Sequence, residues 1–175
     1  MIFESMLGYF TMFTSFMYHF TETVETRYYM NPGQWHRLDN IGAITCFATV
    51  FIYLMANQSK QVDDTLKFVS LWVITIMQEK APWDILYTVL PILVFVSWPV
   101  CKWAVIKKEW PPYHWGNFRK GVGFLVLAFV CFLKGLDEKK DYLRIFHGCW
   151  HMLVGATSFY LFQVVKPQPQ KCSVL

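Results

Sequence analysis

The sequence contains no Cys-x-x-Cys pair. Its five cysteines (Cys46, Cys101, Cys131, Cys149 and Cys172) lie far apart, and four of them fall within hydrophobic stretches. That spacing excludes a readable disulfide framework and a structural zinc knuckle. No internal repeat is evident. The first charged residue is Glu4, so the N-terminus lacks the basic region of a cleaved signal peptide, and the first apolar run is expected to persist as a helix. The formal charge of +4 is modest and its basic residues are scattered over short loops. This pattern carries no nucleic-acid signal.

What the chain has instead is apolar bulk: 55% of its 175 residues are hydrophobic and 19% aromatic. Long apolar runs at this density indicate an integral membrane protein, because a helix needs ~20 such residues to cross a bilayer. The expected fold is all-α, a single polytopic bundle over residues 1–165 with a short polar tail over 166–175. Six transmembrane helices are expected, at about Ser5–Phe20, Asp39–Ala56, Thr65–Met77, Trp83–Ile106, Arg119–Leu133 and Leu143–Val165. The first loop holds Asn31, Pro32 and Gly33, a turn signal. Pro91 and Pro99 predict a kinked fourth helix. Gly121 and Gly123 are candidates for close helix approach in the fifth.

The last apolar run carries His147 and His151, four residues apart and therefore on one helical face. Imidazole suits zinc and other borderline metals, and a polar side chain inside a membrane helix points to function. The alternative is that each histidine hydrogen-bonds a neighbouring helix or sits at the membrane interface. The first helix repeats the spacing with Ser15 and His19, and Asp39 opens the second, where an N-cap is the competing role. If six helices alternate in direction, Ser15, His19, Asp39, His147 and His151 all fall in one leaflet, whichever way up the chain sits. His36 shares that side but lies in a loop, and His114 falls on the other. Three histidines with an open position make a catalytic zinc site, in which the metal lowers the pKa of its water to about 7. Asp39 fits the role of proton acceptor and donor, and Ser15 fits that of a hydroxyl that orients the carboxylate or stabilises an oxyanion. A structural metal, or a polar network that pins the bundle, is the other reading of the same residues.

The runs FTMFTSFMYHF (Phe10–Phe20), LDNIG around Asp39 and FHGCWHMLVG around His147 and His151 resemble the transmembrane protein 8 and myomaker family. That family belongs to the CREST superfamily, with the alkaline ceramidases and adiponectin-type receptors. Its pattern is Ser-x3-His, an Asp at the start of the next helix and His-x3-His in the last. Ser15, His19, Asp39, His147 and His151 fill all five places. The resemblance implies one zinc ion on the three histidines in a bundle open to a membrane lipid substrate. Superfamily members typically have seven helices, so the first is expected to be absent here.

The tail ends Cys172-Ser173-Val174-Leu175, a Cys-a-a-X arrangement that favours geranylgeranylation of Cys172. A prenylated tail is cytosolic, and six helices then place the polar constellation at the lumen or cell exterior. The 16 basic residues divide nine to seven in favour of the cytosolic side on that orientation. Three functions are compatible with this sequence. The first is a zinc-dependent hydrolase of an amide or ester bond in a membrane lipid, at the plasma membrane or an endomembrane. The second is a myomaker-like remodelling or scaffolding protein with a structural metal. The third is a receptor. The complete Ser/His/Asp/His/His set favours the first, since structural zinc takes four protein ligands.

Overall fold

A computed structural model of the chain describes residues 2–135, 141 and 145–166. Among these residues all regular structure is helical. In chain order the helices are α1 (Ile2–Thr23), α2 (Pro32–Leu54), α3 (Lys60–Lys80), α4 (Ile85–Val100), α5 (Trp115–Gly135) and α6 (Ile145–Leu161), with a π-helical segment, Cys101–Lys107, continuing α4. Among the described residues three stretches are long and apolar enough to cross a membrane: Pro32–Leu54, Ile85–Lys107 and Trp115–Gly135. Contacts concentrate within two units, one ending at Lys108 and the other beginning at Glu109.

In the first unit α2 is the central element, with α1, α3 and α4 packed on it. Its apolar residues are distributed around the whole helix, as expected of a central or membrane-spanning element. Ile41, Ile44 and Ala48 of α2 form the buried core with Ile74 of α3 and Phe95 of α4. Gly42 permits the closest approach. A methyl group there would lie 2.6 Å from Thr11 Oγ1 and 3.1 Å from the Thr11 backbone.

The start of α2 corrects an expectation. The helix begins at Pro32, not Asp39. Asn31 Oδ1 accepts the Gln34 N–H at 2.9 Å, and Gln34 Oε1 accepts the Asn31 N–H at 3.0 Å. This reciprocal capping box, followed by proline at the first helical position, is a helix start in its own right. The same three residues, Asn-Pro-Gly, also carry a turn signal, which is why the sequence alone suggested a loop.

Two polar clusters secure the ends of the unit. Gln78 is fully buried; its Nε2 donates to the Tyr87 carbonyl at 3.0 Å, and its Oε1 accepts from Asn40 Nδ2 at 3.2 Å. Asn40 Nδ2 also reaches the Pro82 carbonyl at 3.0 Å, so the α3–α4 turn is tied to α2. At the other end, Lys102 Nζ donates to the Met55 carbonyl and to Asn57 Oδ1, both at 2.6 Å. A cation at the carbonyl end of α2 complements its dipole. α4 runs through both prolines and widens to π geometry two residues after Pro99. Proline removes a backbone donor, and a local π adjustment is one way of re-pairing the carbonyls it frees.

The second unit is an α5–α6 pair. Phe124 stacks on Tyr160 at 5.5 Å and Phe132 meets Trp150 at 5.0 Å, which makes the two helices antiparallel. Gly121 lies against Leu161 and Gly135 lies against the His147 backbone, whereas Gly123 has nothing within 4 Å among the described residues. Of the two glycines expected to admit a neighbour, Gly121 does so and Gly123 does not.

Gly42→Ala is expected to push α1 away from α2 and destabilise the fold by about 1–3 kcal/mol, the usual cost of overpacking. Gly123→Ala is expected to be neutral or stabilising by up to about 1 kcal/mol, as for an exposed helical glycine. Thermal unfolding of the two purified variants in detergent checks both.

Candidate functional site

The expected site residues fall on three helices. α1 supplies Ser15 and His19, α2 supplies Asp39, and α6 supplies His147 and His151. Cys172 lies outside the described residues.

α1 and α2 run antiparallel, with Thr11 beside Cys46 at 3.4 Å, Phe13 against Trp35 at 5.8 Å and Tyr18 against His36 at 4.9 Å. This register brings Ser15 opposite Asp39, and the serine hydroxyl donates to the carboxylate. Asp39 is half-buried and sits two turns inside α2. It is not an N-cap, because Asn31 has that role. Aspartate is a poor residue for a helix interior, since its carboxylate competes for backbone donors. Capping therefore does not account for its presence, and its bond to Ser15 is a tertiary contact.

His19 follows Ser15 by one turn and is half-buried, with its Nδ1 3.7 Å from Glu22 Oε2. His36 has a packing role: its ring lies flat on Trp83 at 3.7 Å with a 5° interplanar angle. Its Nδ1 is buried and makes no hydrogen bond among the described residues.

On α6 the two imidazoles meet. His147 Nε2 and His151 Nε2 are 3.1 Å apart, with ring centroids at 4.9 Å. Two nitrogens bound to one tetrahedral zinc at ~2.0–2.1 Å are separated by about 3.3 Å. The observed spacing therefore fits a pair of ligand atoms sharing an ion. It also fits a direct hydrogen bond between two neutral rings, one donating and one accepting. The donor set, imidazole nitrogen only, suits zinc.

Asp141 is a residue that sequence reasoning missed. It is buried, and its carboxylate accepts the Phe146 N–H at 3.1 Å and the His147 N–H at 3.0 Å. Burial alone pushes its carboxyl up. The backbone donors of His147, Phe146 and Ile145 outweigh this and hold it below the usual carboxylate range. These N–H groups belong to the first turn of α6, where a negative charge is favoured. The cap fixes the turn that carries His147. The available signal was an acid shortly before a helix start. In the run Asp137-Glu138-Lys139-Lys140-Asp141 three acids competed for it.

A groove of about 580 Å³ in the first unit runs along α3 past Phe68, Trp72 and Ile76 and is lined by none of these residues.

Asp141→Asn removes the charge and leaves one carbonyl oxygen where two carboxylate oxygens accepted from these backbone donors, so α6 is expected to lose stability. The sign with pH follows from the depressed pKa. The contribution of Asp141 is complete above the ordinary carboxyl value of about 3.9 and is lost as pH falls through the lower folded value. The stability gap between wild type and Asp141→Asn is therefore expected to close in that acid window. Parallel unfolding curves across pH measure it.

No curated protein matches the chain. A family model described as "Protein of unknown function (DUF3522)" matches residues 1–152, a span that includes Ser15, His19, Asp39, Asp141, His147 and His151. The chain thus belongs to the DUF3522 family, whose function is unknown.

Proposed function

We propose that this chain is a multi-pass membrane hydrolase that cleaves an amide or ester bond of a membrane lipid with the help of zinc. The observation that carries the reading is the pair of ring nitrogens on α6, His147 Nε2 and His151 Nε2, held 3.1 Å apart. The Ser15–Asp39 pair adds the acid–base partner that a hydrolase needs. In this reading His19, His147 and His151 are the metal ligands and the bilayer supplies the substrate. The likeness to the myomaker and alkaline ceramidase group supports the set as a whole, because all five positions of its pattern are filled.

The bound ion would supply Lewis acidity towards water and the scissile carbonyl. Asp39 takes the proton from the attacking water and passes it to the leaving group. Ser15, donating to Asp39, keeps one carboxylate oxygen oriented. Six spans, a site facing the lumen or exterior and a cytosolic, prenylated Cys172 tail complete the proposal. The competing outcome is a non-catalytic membrane protein in which the same side chains only pin the helices.

Asp39→Asn is expected to reduce turnover by about 10²-fold or more and to make one lipid class accumulate in cells at unchanged protein level. Comparative lipidomics reads the second effect. Elemental analysis of purified protein is expected to find zinc in the wild type and little in His147→Ala. Zinc-free wild-type protein, or lipids unchanged by Asp39→Asn alongside a phenotype in His147→Ala, would favour the pinning role instead.

A further inference from the structure

Glu22 occupies a place that helix energetics disfavour. It lies in the last turn of α1, a turn without a basic residue, where its charge meets the negative end of the helix dipole. Its contacts give it another purpose. Tyr18 and His19 precede it by four and three residues, so all three share a face. The Tyr18 hydroxyl donates to Glu22 Oε1 at 2.8 Å, while Glu22 Oε2 faces His19 Nδ1 at 3.7 Å. One oxygen is anchored and the other is turned towards the imidazole.

The anchor is itself braced. The Tyr18 ring meets His36 edge-on at 4.9 Å, and His36 lies flat on Trp83. Aromatic packing from α2 and the α3–α4 turn thus supports the tyrosine that holds the carboxylate.

We infer that Glu22, held by Tyr18, is a positioning residue that fixes the ring orientation and tautomer of His19. The inference rests on the proposal that His19 is a metal ligand. A carboxylate beside Nδ1 keeps the proton on that atom and leaves the lone pair on Nε2, the arrangement a metal requires. At 3.7 Å the contact is longer than a hydrogen bond, and in the proposed arrangement the carboxylate closes that gap when His19 holds the metal. Carboxylate partners of this kind raise ligand basicity and metal affinity.

The test uses full-length purified protein and zinc, with affinity measured by competition against a chelator. Glu22→Ala is expected to weaken zinc binding by about 10–100-fold. Tyr18→Phe shifts it in the same direction by less, and Glu22→Gln falls between wild type and Glu22→Ala. Cobalt(II) substituted for zinc is expected to give an altered ligand-field spectrum in Glu22→Ala. Thermal unfolding in excess chelator is expected to be the same for wild type and Glu22→Ala, which a merely structural role would not allow. Tight zinc binding in the wild type with equal affinity in Glu22→Ala overturns this inference alone. A loss of affinity matched by a loss of metal-free stability also overturns it, in favour of a structural glutamate. Wild-type protein that binds no zinc overturns it together with the hydrolase reading.

Discussion

The hydrogen bonds exchanged by Asn31 and Gln34 decide where α2 begins, and much of the first unit follows from that point. A helix started at Pro32 carries Asp39 two turns into its body. There the carboxylate faces the adjacent helix and not the open end of its own. The same start sets the phase of Gly42, where α1 comes close enough to place Ser15 opposite Asp39. Asn40, the next residue, reaches the turn between α3 and α4. One capping box thus fixes both the depth of the Asp39 carboxylate and the side from which its partner arrives.

Polar side chains in an apolar setting are costly unless paired. Gln78 satisfies both ends of its amide, Ser15 and Asp39 answer each other, and Lys102 is taken up by a carbonyl and an amide oxygen. On α6 the carboxylate of Asp141 closes the first turn, so the helix bearing the two histidines starts in a defined phase. Gly135 packing on the His147 backbone fixes the same turn from α5. His147 therefore sits on a turn held from both sides, and His151 follows one turn later on the same face.

The order of the six described helices is legible in the sequence, although only three of them are long and apolar enough to span a membrane. Their ends are less so. The Asn-Pro-Gly run fits both a turn and a helix start, and only Gln34, reaching back to Asn31, distinguishes the two. The π-helical widening after Pro99 depends on how freed carbonyls are re-paired, which no periodicity reports. The histidines and serine are visible as i, i+4 pairs, and the Ser15–Asp39 bond follows from an antiparallel α1–α2 pair. Glu22 and Asp141 are hidden among other charges at helix ends. What sets them apart is a partner, Tyr18 in one case and two backbone donors in the other.

The Lys102 clasp has a further meaning. Its ammonium is held by Met55 and Asn57 and lies 4.8 Å from the Trp103 ring centroid. A lysine so engaged is poorly placed to reach lipid phosphates, whatever a tally of charges along the chain assigns to it. Lys107 and Lys108, in contrast, stand exposed where the π-helical segment stops, with neither ammonium folded back onto α2 by a described hydrogen bond.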